Sequence, residues 1–504
     1  MEVASINERG DKDEHIAATG YKLHNTWTNF RKSYYIIKLQ FIFKNLIFQI
    51  ILSLSLSIIL YFISLPSLIL HGLNTYIHPD DANLTNQTQS SGPKVAIRRP
   101  SDQNVNGSSE LRNRKKPREK LFEFDETKAQ IFRLRLGDAQ ICSRLYFDSF
   151  RSFNCFVVAF TCFLLHKYLI LNVGESDNDK DNVDDDYTTS GVLKSGSLVP
   201  IVIGVLGFFR VLISLFRVSI ERSTFKRSER GLGLVIGALG FFASLVICVG
   251  VYPWLFDFEF SSIDGYGKLF VSLLSGFITG FLYLAAGKNA RAFWLGTDQI
   301  RCNLPIISCG WFSQVIFCAY YLLLGFTSLL WINLFGELLV NKNIDGGRNG
   351  VSSSLVGNVG MSEPDFVKFR LLCLLLSGLL QVIALRWYVQ TFLNEAVLSW
   401  YQRLHASVVP YTEYSRAKVF LHNHYLCLAV IQFFAPAALV LLSLGLSQVD
   451  EGLFENFEVA CVLLPCSAFV KEVALFLAWW VSFVWFVFTS TYLAFYSRGI
   501  LYIS

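Results

Sequence analysis

Charge is scarce in this chain of 504 residues: 16% are Asp, Glu, Lys or Arg, while 53% are hydrophobic. A soluble domain carries about 25% charged residues, so this composition argues against a chain that folds as soluble domains. The eleven cysteines include no Cys-x-x-Cys pair, which removes the usual zinc and redox motifs. Most lie inside apolar stretches and read as small buried hydrophobes. The histidines number eight, and His422-Asn-His424 is their one close pair, with no carboxylate at helical spacing to complete a metal set. His166 is the one histidine inside an apolar stretch. Gly231, Gly233 and Gly237 lack the spacing and the preceding strand of a dinucleotide loop. The acidic run from Glu175 to Asp186 lacks the ligand order and the glycine of an EF-hand. No serine elbow, phosphate loop or pair of intramembrane carboxylates is present. The reading is therefore no enzyme, no cofactor and no metal. The net charge of +5 is mild and its lysines and arginines sit in loops, where they suit lipid headgroups rather than nucleic acid.

What the chain has in quantity is long apolar runs. Nine are long enough to cross a bilayer: 46–70, 152–171, 198–216, 231–254, 269–286, 307–335, 371–389, 425–446 and 473–494. The expected fold is an all-α polytopic transmembrane helix bundle with disordered polar loops. Residues 1–45 form a polar N-terminal extension without a short cleavable signal at its start. Residues 71–151 form a long polar loop, and residues 152–494 the main bundle. The run 307–335 reads as one long tilted span. Residues 390–405 are amphipathic, with Leu393, Ala396, Val397, Trp400 and Leu404 on one face and Asn394, Glu395, Gln402 and Arg403 on the other. That pattern fits equally a helix lying on the membrane surface and a plain extension of the seventh span into water. Residues 459–470 are too short to cross and read as re-entrant or interfacial.

Three N-glycosylation sequons, at Asn83, Asn86 and Asn106, all fall in the loop 71–151. They place that loop in the lumen or outside the cell, in an endomembrane or the plasma membrane, and the N-terminus in the cytosol. Lipid is the first partner implied, with protein partners unidentified.

Inside the spans, Gln49, Gln314, Gln381 and Gln432 read as hydrogen-bonding glue between helices. Gly233 with Gly237, and Gly276 with Gly280, are pairs of small residues four apart, the spacing that lets helices approach closely. Arg210 stands apart. Its guanidinium is charged at any physiological pH, and at membrane depth it costs at least about 2.5–3.5 kcal/mol. The expectation is a bundle built to shelter it, either by structural pairing or along an anion or headgroup path. Gly204 and Gly207 beside it thin the helix for a close neighbour.

Several motifs, in order along nearly the whole chain, resemble the transmembrane protein 161 family of eukaryotes. They are Tyr76-Ile77-His78-Pro79-Asp80-Asp81; Arg210 and Arg217, seven apart; Glu229-Arg230; Gln390, Leu393, Asn394 and Ala396; Gln432 with Pro436; and Trp479-Trp480 with Tyr496. The N-terminal extension, the acidic run and Glu472 depart from the family pattern, and Pro465 departs slightly in its spacing. The resemblance implies a multi-pass, glycosylated membrane protein without established enzymatic activity, associated with membrane excitability and stress protection. The first functional reading is a regulator or scaffold that influences ion handling or stress response. The alternative is a transporter or channel with a polar path near Arg210.

Overall fold

Hydrocarbon offers a backbone no hydrogen-bond partner, so a chain that crosses it closes its bonds within helices. The computed structural model describes residues 47–60, 72–77, 132–135, 153–165, 198–220, 227–251, 255–258, 263–297, 310–339, 363–405, 425–448 and 467–501, with Phe62, Phe260 and His422. In chain order the helices are α1 (Ile47–Leu60), α2 (Phe153–Leu165), α3 (Leu198–Ile220), α4 (Arg227–Val246), α5 (Gly265–Thr297), α6 (Trp311–Leu329), α7 (Asn333–Leu339), α8 (Glu363–His405), α9 (Leu426–Ser447) and α10 (Ser467–Ser497). Seven of them, α3, α4, α5, α6, α8, α9 and α10, are long and apolar enough to cross a membrane. The chain is thus a multi-pass helical membrane protein. The first two of the nine expected spans correspond to α1 and α2, which are shorter apolar helices among the described residues.

Boundaries differ from the sequence expectation where polar residues find partners. The span expected over 307–335 is two helices, α6 and α7, parted by a turn at Leu330–Ile332 in which Trp331 is buried. The span 371–389 is the middle of α8, a helix of 43 residues. At 1.5 Å per residue that is about 65 Å, twice the roughly 30 Å of a hydrocarbon core. Residues 390–405 continue α8 without a break. Residues 467–470, expected to be re-entrant or interfacial, open α10; residues 459–466 lie outside the described residues. The one extended pairing between named strands among the described residues is an antiparallel two-stranded ribbon, β1 (Asn74–Ile77) with β2 (Phe132–Arg135), joining the two ends of the long polar loop.

The bundle is centred on α9 and α10. Some 83% of the most apolar window of α9 and 67% of that of α10 is buried, against 28% for α4 at the rim. α9 packs against α3, α8 and α10, and α10 against α5 and α6. α4 lies along α5, and the two glycine pairs meet there. A Cβ on Gly237 would stand 3.1 Å from the Gly276 carbonyl oxygen, and one on Gly280 3.0 Å from that of Gly233. A Cβ at either place would press the two helices apart by a few tenths of an ångström.

Candidate functional site

The helices alternate in direction, so the C-terminal ends of α3, α5, α8 and α10 share one end of the bundle with the N-terminal end of α4. A polar cluster is built there. Arg291 of α5 donates from Nη1 to Glu395 Oε1 of α8 at 2.8 Å and from Nε to Tyr496 Oη of α10 at 3.4 Å. The Glu395 side chain is 7% exposed and that of Arg291 38% exposed. Lys288 lies one turn back on α5 and feels the charges of Glu395 and Glu229. Gln390 of α8 donates from Nε2 to Asn394 Oδ1 at 2.9 Å and to the Asn74 carbonyl at 3.1 Å, while its Oε1 accepts from the Asn74 N–H at 2.9 Å. β1, the strand just ahead of His78-Pro79, is thereby docked on α8.

This overturns one expectation. Asn394 and Glu395, assigned by helical spacing to a water-facing side, are 4% and 5% exposed. A buried carboxylate needs a cationic partner, and Arg291 supplies it from a helix 104 residues away.

At the other end, Arg370 near the start of α8 donates from Nη1 to Asp257 Oδ2 at 2.6 Å. Its guanidinium carbon lies 4.5 Å from the Trp331 ring centroid and 4.8 Å from that of Phe366. A planar cation held between two rings gains cation–π attraction on both faces. α8 is thus tied by ion pairs near both ends.

In the core, Trp479 Nε1 donates to the Ser328 carbonyl of α6 at 3.1 Å, and Trp480 Nε1 donates to Thr279 Oγ1 of α5 at 3.0 Å. The pair rivets α10 to two neighbours. Gln432 and Pro436 lie buried in α9. Proline has no N–H, so the Gln432 carbonyl four residues back loses its helical donor. The Gln432 Oε1 also has no hydrogen-bond partner among the described residues.

Among the described residues, nothing shelters Arg210. It lies on the exposed side of α3, as does Arg217, two turns on. Gly204 and Gly207 face α2, where a Cβ would meet the Phe163 ring and Ala159. The close neighbour expected of these glycines is there, and Arg210, one turn on from Gly207, stays exposed beside that contact. Among the described residues, Arg210 faces outward and not into the bundle.

Glu229 is exposed and Arg230 half-buried in the first turn of α4, at the same end as the Arg291–Glu395 pair. His78, Pro79, Asn83, Asn86 and Asn106 lie outside the described residues. The structure brings Asn394, Glu229 and Arg230 to one end of the bundle, leaves Trp479, Trp480, Gln432 and Pro436 in its core, and sets Arg210 and Arg217 on its rim. Sequence reasoning missed both ion pairs. Arg291, Asp257 and Arg370 lie next to apolar runs and look like flanking charges, so no local signal joins them to partners in distant helices. Comparison with family models, curated proteins and solved structures finds no match to this chain.

Proposed function

We propose that the chain is a non-enzymatic membrane regulator or scaffold that acts through protein partners within the bilayer, as the motifs resembling the transmembrane protein 161 family imply. The observation that supports this reading is the position of Arg210: a permanent charge near the middle of a span, on a side of α3 that the described helices leave largely uncovered. Such a charge is costly against lipid and normally faces protein. The test is photo-crosslinking in native membranes from residues placed at Leu206 and Ile213. Protein adducts that fall away in Arg210→Leu support the reading; lipid adducts alone end it for this face.

The loop 71–151 is proposed as luminal or extracellular, on its three sequons, with the N-terminus in the cytosol. A transport reading draws on a different observation and a different place. The Asn289 amide lies beside the Tyr388 hydroxyl, and the Trp485 indole beside the Tyr320 hydroxyl. Yet, among the described residues, Asn289 Nδ2, Tyr388 Oη, Tyr320 Oη and Trp485 Nε1 are buried without a hydrogen bond of good geometry. Polar atoms left in this way inside a bundle are where a hydrated path would run. Ion flux in vesicles holding the purified protein, lost in Asn289→Leu at unchanged thermal stability, would favour transport over the scaffold.

A further inference from the structure

The exposed side of α3 carries Val202, Leu206, Phe209, Ile213 and Phe216, the last of which also meets Phe281 of α5 edge-on at one end of the row. Their spacing is four, three, four, three, the repeat with which one helix seats against another. Arg210 and Arg217 follow Phe209 and Phe216 on the same stripe, both exposed. Neither has a hydrogen bond or ion pair among the described residues.

The two arginines differ in depth. The α3 span runs Val199–Ser219. Arg217 is two residues from its end, about 3 Å, so its guanidinium reaches the headgroups. Arg210 is nine residues from that end and eleven from the other, about 13–16 Å of helix. A guanidinium on a three-carbon stem does not cover that distance unless the bilayer thins around it. A lipid phosphate thus suits Arg217 and not Arg210. A second copy of the chain does not suit Arg210 either. Among the described spans, the carboxylates stand near the ends, at Glu229 and Glu395 on one side and at Asp365 and Glu472 on the other. None lies at mid-depth.

We infer that the α3 stripe seats a transmembrane helix of another protein, one that carries an Asp or Glu at mid-bilayer depth to pair with Arg210. This rests on the scaffold reading and names the chemistry of its partner. A carboxylate takes a planar guanidinium with two parallel hydrogen bonds, and apolar knobs from the visitor fill the 4-3-4-3 row above and below. The partner's own acid is as costly in lipid as Arg210, so each chain has the same reason to keep the other.

The test uses the purified full-length protein in phosphatidylcholine vesicles with labelled polyleucine transmembrane helices: one with a central Glu, one with a central Gln, one with its Glu two turns from the centre, and one of leucine alone. Association is read by energy transfer. The central-Glu helix is expected to bind about tenfold tighter than the all-leucine one. Arg210→Leu should abolish that preference, Arg217→Leu should leave it, and Arg210→Lys should keep part of it. Because Arg210 is exposed, these variants should fold, which a melting curve checks. Equal binding of the all-leucine helix overturns the inference, as does equal binding of the displaced-Glu helix. Self-association that depends on Arg210, or loss of bound anionic phospholipid in Arg210→Leu, assigns the face to a second copy or to lipid and also overturns it. The crosslinking experiment separates the two levels. Protein adducts at Ile213 whose captured segment lacks an acid leave the scaffold reading standing and remove this one, whereas lipid adducts alone remove both.

Discussion

The Gln390 side chain closes both backbone hydrogen bonds of Asn74, accepting from its N–H at 2.9 Å and donating to its carbonyl at 3.1 Å across 316 residues of sequence. One amide thus serves as a substitute strand for the edge of β1. Two stretches nominated separately from sequence, the one leading into His78-Pro79 and the one from Gln390 to Asn394, form a single feature at the end of α8. Gln390→Leu leaves a half-buried N–H and carbonyl without partners, at about 1–3 kcal/mol. Amide hydrogen exchange at Asn74 and its neighbours should rise in this variant with little change in the core of α9. Unchanged protection of β1 would show that the contact does not hold the strand.

Glu395 depends on Arg291. Arg291→Gln leaves the Glu395 carboxylate buried without that partner and should lower stability by up to about 3 kcal/mol, whereas Glu395→Gln leaves an Arg291 side chain that is 38% exposed and should cost less. The double variant should lose less than the sum of the two. Thermal melts of the four proteins in one detergent give the coupling, and strict additivity would mean that the pair contributes no interaction of its own.

At the opposite end, Arg370→Lys keeps the charge and gives up the planar stack between Trp331 and Phe366. A loss of about 1–2 kcal/mol is expected, with Arg370→Leu losing more because the cation beside the two rings is gone altogether. Equal stability of Arg370 and Lys at this position, in a denaturant or thermal series, would assign the site to charge alone.

Gly276→Ala should be costly where Gly231→Ala is not. A Cβ at Gly276 would stand 2.8 Å from Phe241 Cβ and 2.9 Å from the Gly237 carbonyl oxygen, while one at Gly231 meets nothing within 4 Å. Parting α4 from α5 to make room costs about 1–3 kcal/mol. The check is the melting temperature of the two variants side by side, and an indistinguishable pair would contradict the close packing of these helices.

The proposed orientation makes a separate prediction. Glycosidase treatment should increase the gel mobility of the protein made in a glycosylating host, and changing Asn83, Asn86 and Asn106 together to Gln should remove that shift. A wild-type protein with no shift would argue for the reverse orientation of the loop 71–151.

Apolar run length was enough to determine that the chain is a helical membrane bundle, because hydrocarbon leaves the backbone no other choice. α3, α9 and most of α10 could be drawn from hydropathy to within a few residues, and the glycine pairs already marked a close helix contact. Hydropathy reports how much a residue prefers lipid, not which neighbour it meets. For that reason the turn at Trp331 falls inside a run that reads as one span, and Glu395 reads as water-facing although Arg291 holds it inside. The same limit applies to Arg210. Its cost in lipid is legible from one residue, but whether its own bundle covers it depends on how α3 is rotated. That rotation is decided by Gly204 and Gly207 meeting Phe163 and Ala159 of α2. With Gly204 and Gly207 held against α2, Arg210 one turn on is left exposed among the described residues, and only packing between helices could settle that.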